Sequence, residues 1–184
     1  MAKVAVVAYL DLPEEELDWV ERLRARHDPQ ASLIKAHFTL VFPVQIATEL
    51  LIDHVRVKLA GVRPVPFVLR RAAAVRDVVA HASHVFLLPE EGRQELLAVH
   101  DRLYDGLLRP HLRADIPFVP HVTVGACRTL EECERLAAEI NGTLRPMRDT
   151  LYGADVIEVG VSAVRTAARV SFGEAGPNRA GAGE

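Results

Sequence analysis

The apolar and polar positions of this chain predict short strands and amphipathic helices in succession. Helix starts are indicated by capping residues and prolines, for example where Asp11 and Pro13 precede an acidic first turn. In chain order the pattern predicts a strand at 3–10, a helix ending near Arg26, a strand at 36–42 stopped by Pro43, a helix capped by Thr48 and ending near Gly61, strands at about 65–75 and 84–88, a helix opened by Pro89 and Glu90 and closed at Pro110, a strand at 119–126, a helix at 129–140, and strands at 151–160 and 162–172.

The order of these elements indicates an α+β protein built from two similar lobes. A chain of 184 residues is most simply one domain, or one domain of two closely packed lobes. We therefore expect a single bilobal domain over 1–172. The remaining segment, 173–184, is small and polar, so we expect a disordered tail there.

Two of the predicted strands carry the same polar pair in an otherwise apolar run. The segment "KAHFTLVFP" contains His37 and Thr39, and "VPHVTVGAC" contains His121 and Thr123, 84 residues later (121 − 37). Residues two apart in a strand project from the same face, so each segment presents an imidazole beside a hydroxyl. Composition predicts fewer than about 0.1 such tetrapeptides per chain, so two copies are informative and hint at an internal duplication.

Paired histidines suit proton transfer near neutral pH, because a neutral imidazole accepts a proton while an imidazolium donates one. Threonine hydroxyls can donate hydrogen bonds to phosphoryl oxygens on which charge accumulates. Neither motif has a carboxylate beside it and threonine is a poor metal ligand, which favours chemistry on a phosphate without a metal or other cofactor. The plain alternative is that each pair lies on a solvated sheet face, but this coincidence would have to occur twice.

Charge and cysteine content limit the partners and the setting. The formal net charge is −3 and the pI about 6.2, unlike proteins that grip long nucleic acid through many phosphates. Two cysteines are too few for a disulfide framework, and the apolar stripe around Cys133 indicates a buried thiol. The N-terminal apolar run is too short for a signal peptide or a membrane span. We expect a reduced, cytoplasmic setting, no membrane contact and no obligate protein partner, and the charge leaves a short RNA end or a small nucleotide open as the ligand.

At the two motifs the sequence resembles the two-histidine (2H) phosphoesterase superfamily, which includes bacterial RNA 2′,3′-cyclic phosphodiesterases historically called 2′-5′ RNA ligases. The family motif H-x-[T/S]-x, with apolar x, stands here as "HFTL" at 37–40 and "HVTV" at 121–124. The resemblance implies two antiparallel-sheet lobes with outer helices around a central cleft.

The same resemblance implies metal-independent hydrolysis of a cyclic phosphodiester, typically a 2′,3′-cyclic phosphate opened to a 2′-phosphate. It makes His37 and His121 the acid/base pair, and Thr39 and Thr123 the hydrogen-bond donors to the phosphate. Either histidine fits either role on sequence grounds, and we favour His121 as the base.

Four further residues are candidates for substrate contacts. Many bacterial members carry a basic residue soon after the second motif, whereas "HVTVGACR" delays it to Arg128, which is compatible with a different substrate class. Arg70 and Arg71 follow the run "VPFVL" inside the predicted strand at 65–75. One of them should face opposite to Phe67 and Leu69, toward the expected cleft, and Arg71 is the candidate contact. Phe42 and Phe118 flank the motifs, where they either stack on a base or pack in the core.

The remaining histidines have simpler interpretations. The segment "HASH", with His81 and His84, is predicted to be a solvated turn, since further metal ligands are lacking nearby. His100 shares a helical face with leucines and is predicted to be structural.

Two alternatives to a cyclic phosphodiesterase stay open. One is a non-catalytic module that binds RNA ends or nucleotides, and the other is a reversible 2′-5′ RNA ligase. Nucleotidyl transfer is disfavoured, because the chain has neither a G-x-x-x-x-G-K-[ST] loop nor a K-x-D-G site.

Overall fold

The protein is represented by a computed structural model that describes residues 3–77, 82–113 and 115–173. Its strands are β1 (Lys3–Tyr9), β2 (His37–Val44), β3 (Val65–Asp77), β4 (Ala82–Glu91), β5 (Val122–Cys127), β6 (Met147–Leu151), β7 (Gly153–Val159) and β8 (Val164–Ser171). Its α-helices are α1 (Glu14–His27), α2 (Thr48–Leu59), α3 (Arg93–Tyr104) and α4 (Leu130–Thr143). None of the described helices is long and apolar enough to cross a membrane.

The strands form one antiparallel sheet in the order β6-β3-β4-β5-β2-β1-β7-β8. This sheet consists of two four-stranded halves, and each half ends at the centre with a motif strand, β5 or β2. Within the described strands the halves meet through a single backbone pair, Phe38↔Val122. The expected α+β architecture of two antiparallel lobes is confirmed, with the lobes as the halves of one continuous sheet.

The four helices pack on one face of the sheet, where the main hydrophobic core lies. The apolar residues inside the motifs are part of this core: Phe38 and Val122 are buried, as are Leu40 and Val124. Phe38 also meets Phe67 of β3 edge-on, with ring centroids 5.1 Å apart. Burial of aromatic and branched side chains is the main favourable term in folding, so the apolar half of each motif anchors its strand and leaves the polar half on the opposite face.

Two predicted strand ends are wrong and one strand was missed, each for a local physical reason. β4 continues through Pro89 to Glu91 instead of giving way to a helix, because Gly92, at φ 79°, makes the turn into α3. β2 runs past Pro43 to Val44, where a shift in the β1–β2 register tolerates a residue without an N–H. β6 was missed because, as an edge strand, it alternates weakly and carries charged residues.

The predicted helix caps are also corrected. The Thr48 hydroxyl donates to Glu158 of β7 instead of capping α2, and Asp11 contributes its backbone N–H to Asp149 rather than capping α1. Thr129 does cap α4, since its side chain accepts from the N–H of Glu132.

The prediction of a buried thiol at Cys133 is corrected in one respect. Cys133 is fully buried in α4, but it forms a disulfide with Cys127 at the end of β5. Their spacing of six residues carried no recognisable disulfide pattern, because the contact depends on how α4 packs against the sheet. The tail from residue 174 onward lies outside the described residues, so the predicted disorder stays a prediction.

Candidate active site

The pair Phe38↔Val122 brings the polar residues of both motifs to one face of the sheet. Side chains alternate along a strand, and Phe38 and Val122 point into the helix-covered core. Their neighbours His37, Thr39, His121 and Thr123 therefore project from the opposite face. In an antiparallel pair this register sets His37 opposite Thr123 and Thr39 opposite His121, so the two histidines lie on a diagonal.

Each motif histidine is held by the backbone carbonyl two residues before it. The Nδ1 atom of His37 lies 2.7 Å from the oxygen of Lys35, and Nδ1 of His121 lies 2.6 Å from the oxygen of Val119. A carbonyl oxygen only accepts hydrogen bonds, so each Nδ1 carries the proton and donates it. In the neutral ring, Nε2 is then the free base, and it is the atom available for proton transfer.

Burial lowers the pKa of both histidines. It lowers the pKa of His121 from 6.5 to about 4, with the positive charges of His37 and His84 acting in the same direction. Burial likewise lowers the pKa of His37, opposed by the hydrogen bond to Lys35. Without a bound anion, both rings are therefore neutral at pH 7, and a phosphate between them would favour their protonated forms.

Aromatic side chains from the neighbouring strands enclose the two imidazoles. Phe86 of β4 stacks on His121 with ring centroids 3.6 Å apart and an interplanar angle of 19°. Tyr9 of β1 lies edge-on to His37 at 6.1 Å. Neither residue was identified from sequence. The available signal was the alternation in β4, where His84 and Phe86 are half-buried between the buried Val85 and Leu87.

A buried ion-pair cluster lies behind the first motif. Arg24 of α1 contacts Glu21 at 3.0 Å and Asp28 at 2.9 Å, and the side chains of Arg24 and Asp28 are only 2% and 5% exposed. The second oxygen of Glu21 accepts the N–H of Ala36 at 2.7 Å. The residue before His37 is therefore fixed to α1, which limits how far the first motif can shift.

The family of the chain follows from comparison with known proteins. The model of the 2′-5′ RNA ligase superfamily matches residues 12–160. This chain belongs to the 2′-5′ RNA ligase superfamily, a group of 2H phosphoesterases. A presumed phosphoesterase of Bacillus licheniformis is 29% identical over 144 residues, which are 76% of this chain and 79% of the relative.

Solved structures show the same fold at low sequence identity. The protein TT0787 of Thermus thermophilus superposes with a TM-score of 0.62 at 15% identity, over 93% of this chain and 98% of that chain. E. coli LigT complexed with 3′-AMP gives a TM-score of 0.56 at 17% identity, over 94% of this chain and 99% of that chain. The fold of this superfamily member is therefore that of LigT-like proteins.

Arg71 lies on the same face as the motifs. It pairs with Leu88 in the β3–β4 register, and the pair Leu87↔Val122 sets Leu88 opposite His121. Arg71, Leu88 and His121 thus form a row across three strands, and two strand spacings amount to about 10 Å. Arg71 is exposed and makes no salt bridge among the described residues, whereas Arg70 lies 3.5 Å from both Glu90 and Glu91.

The other three candidate contact residues do not lie in such a row with a motif histidine. Arg128 is exposed beyond β5 and lines a cavity between α1 and α4 with His27 and Glu132. Phe118 stacks on the buried His100 of α3 at 3.8 Å, which makes it a packing residue. Phe42 is 49% exposed in the irregular end of β2, with its N–H donated to the hydroxyl of Tyr104.

Two of the sequence predictions concern histidines outside the motifs. His100 is buried, as its helical position predicted. The prediction of a solvated turn at "HASH" is wrong for His84, which belongs to β4, because the strand starts at Ala82 and not at residue 84. His81 lies outside the described residues.

Substitution of Arg24 tests the buried cluster. We expect Arg24→Met to lower the free energy of unfolding by about 3 kcal/mol or more, because it leaves the buried Asp28 carboxylate without its partner. Arg22→Met is the matched control, since Arg22 and Asp18 form an i,i+4 pair that is 62% and 63% exposed, worth about 0.5 kcal/mol or less. Urea unfolding of both variants gives the comparison, and equal losses would contradict the assigned role of Arg24.

Proposed function

We propose that this protein hydrolyses a cyclic phosphodiester, most specifically a 2′,3′-cyclic phosphate on an RNA end or nucleotide, to a 2′-phosphate without a metal ion. The observation that carries the proposal is the common face of His37, Thr39, His121 and Thr123 around one backbone pair. Both imidazoles have Nδ1 occupied by a carbonyl, so two Nε2 atoms and two hydroxyls remain for the ligand. Two general acid/base groups and two neutral donors match an in-line displacement at phosphorus.

The reaction uses the histidines in opposite roles. Neutral His121 accepts a proton on Nε2 from the attacking water while the water oxygen bonds to phosphorus. The bond between phosphorus and the ribose 3′ oxygen breaks, and protonated His37 gives its Nε2 proton to that oxygen. The product is a 2′-phosphate with a free 3′ hydroxyl, and exchange of protons with solvent restores both rings.

The assignment of base and acid rests on the surroundings of the two rings. Phe86 covers one face of His121, and burial holds the pKa of His121 lower than its ordinary value, at about 4. The ring that is harder to protonate is the better choice for the neutral base. His37 takes the acid role, because the charge of a phosphate anion beside it favours its protonated form. Thr39 and Thr123 donate to the non-bridging oxygens, where negative charge increases during attack.

The relatives support the class of substrate. E. coli LigT has been crystallised with 3′-AMP, so a related fold accommodates a nucleotide that carries a phosphate on its ribose. The superfamily is named for 2′-5′ RNA ligation, which is the same displacement of the ribose 3′ oxygen with a 5′ hydroxyl in place of water as the attacking group. Ligation is therefore the second candidate. It is tested by incubating cyclic-phosphate-ended RNA with a 5′-hydroxyl oligonucleotide and looking for a joined product.

Removal of either histidine tests the mechanism. We expect His37→Ala and His121→Ala each to lower kcat for 2′,3′-cyclic AMP by a factor of about 100 or more, because each loses one proton-transfer step. His111→Ala is the matched control, since His111 is exposed in the short 3-10 helix Arg109–His111 and should retain full activity. The wild-type rate should be the same with EDTA present, and phosphorus NMR should identify the product as the 2′-phosphate. Full activity in both motif variants would refute the mechanism, and tight binding without turnover in the wild type would favour a non-catalytic module.

The pKa shifts predict the pH profile. His121 acts as a base only when neutral, so kcat/KM should rise as the pH increases through its pKa of about 4. His37 acts as an acid only when protonated, so kcat/KM should fall as the pH increases through its pKa, which burial holds below 6.5. We therefore expect a bell-shaped profile with its maximum on the acidic side of neutrality. A maximum at alkaline pH would contradict these roles.

Arg71 is proposed as a substrate contact on the flank of the cleft. We expect Arg71→Ala to raise KM for a cyclic-phosphate-ended RNA about tenfold, because it removes a charge-assisted hydrogen bond to a phosphate. Arg70→Ala is the matched control, since Arg70 is already engaged with two glutamates. Steady-state kinetics of both variants on the same RNA would show whether only Arg71 matters, and equal KM values would remove Arg71 from the binding site.

A further inference from the structure

His84 is a third histidine on the sheet face that carries the two motifs, and the two-histidine mechanism does not use it. In the β3–β4 and β4–β5 registers it stands between Val75 and Ala126. It alternates with the buried Ser83 and Val85, so it projects from the face that carries the motifs. The two rings lie near enough that a positive charge on His84 would lower the pKa of His121.

One ring nitrogen of His84 has no hydrogen-bond partner among the described residues. This atom is Nδ1, and it is buried. None of the described ion pairs involves it, and its neighbours across the sheet are an apolar valine and an alanine. A buried polar atom without a partner costs free energy, which a structural histidine would avoid.

The position of His84 relative to the reaction is set by two ring contacts. The His84 ring lies parallel to Phe86 with centroids 6.0 Å apart, and Phe86 in turn stacks on His121 at 3.6 Å. Phe86 thus stands between His84 and His121, so His84 would not reach a phosphorus atom placed between the motif histidines. It lies two residues before Phe86, on the same face of β4.

We propose that His84 forms a second anion subsite, which binds the phosphate on the 5′ oxygen of the nucleotide that carries the cyclic phosphate. A phosphate oxygen only accepts hydrogen bonds, so Nε2–H donates to it, and protonation of the ring adds a charge-assisted contact. The inference rests on the proposed function, because it takes the reacting phosphate to lie between the motif histidines. It adds a specificity-determining residue outside both motifs.

The 5′ phosphate has two possible sources with the same chemistry. It is either the internucleotide diester of an RNA end or the monoester of a free nucleotide. Three substrates separate them: a nucleoside 2′,3′-cyclic phosphate, the same compound with a 5′ phosphate, and a dinucleotide that ends in the cyclic phosphate. For each enzyme, the measured quantity is kcat/KM for the second and third substrates divided by kcat/KM for the first.

In the wild type this preference ratio should exceed one for at least one of the phosphate-bearing substrates. His84→Gln should reduce it about tenfold, mainly through KM, because an uncharged side chain replaces the imidazole. His84→Arg should restore the preference, since it supplies a cation at the same position, and a merely structural role would not give this rescue. His111→Gln is the control and should keep the wild-type ratio. The source of the phosphate is the diester if only the dinucleotide shows the effect.

Two results would overturn the proposal, and they are distinguishable. Hydrolysis of all three substrates with the same ratio in wild type, His84→Gln and His84→Arg would remove the second subsite and leave the proposed function standing. Failure of the wild type to hydrolyse any of the three would refute the proposed function, and the subsite with it. Thermal melting shows whether either His84 variant has lost its fold. If His84→Gln has, the ratio measured for His84→Arg decides.

Discussion

The candidate site depends on one backbone contact, the pair Phe38↔Val122, where two four-stranded halves become one sheet. Packing in the core stabilises this contact, because Phe38 and Val122 are both buried under the helices. Their burial forces the adjacent histidines and threonines to the other face, since neighbouring residues in a strand alternate. The packing of the core therefore also determines the geometry of the site. A one-residue slip of either strand would bury its imidazole and expose its apolar residues.

The orientation of each imidazole is set by the backbone rather than by another side chain. A carboxylate partner would raise the pKa of a histidine, and the acceptors here are instead the uncharged carbonyls of Lys35 and Val119. The carbonyl determines which ring nitrogen carries the proton, and burial still lowers the pKa of each imidazole. The entry to the first motif is also fixed to α1 through Glu21 and Arg24. Both contacts limit movement of the motif histidines before a ligand binds, and such positioning would favour the proposed acid/base catalysis.

The sequence predicted the features that depend on local periodicity and missed those that depend on register between distant strands. The shared face of His37 and Thr39 follows from a period of two, and the α+β class follows from the order of helices and strands. The stacking of Phe86 on His121 could not be predicted, because it requires the register of β4 against β5, which contains an irregularity between Val85 and Phe86. Phe118 was ambiguous for a similar reason: whether it packs or faces the cleft depends on the position of His100 in α3.

The two halves repeat the histidine and threonine but differ in what surrounds them, and the proposed division of base and acid roles rests on this difference. His121 is covered by a stacked phenyl ring, whereas His37 meets only the edge of Tyr9. Stacking excludes water from one face of the imidazole and so penalises its charged form, while an edge contact leaves more room for solvent. A duplicated motif in identical surroundings would give two groups of equal basicity, and neither would be committed to accept or to donate the first proton. In the proposed mechanism, the asymmetry of β4 and β1 would therefore turn a structural repeat into an ordered pair of base and acid.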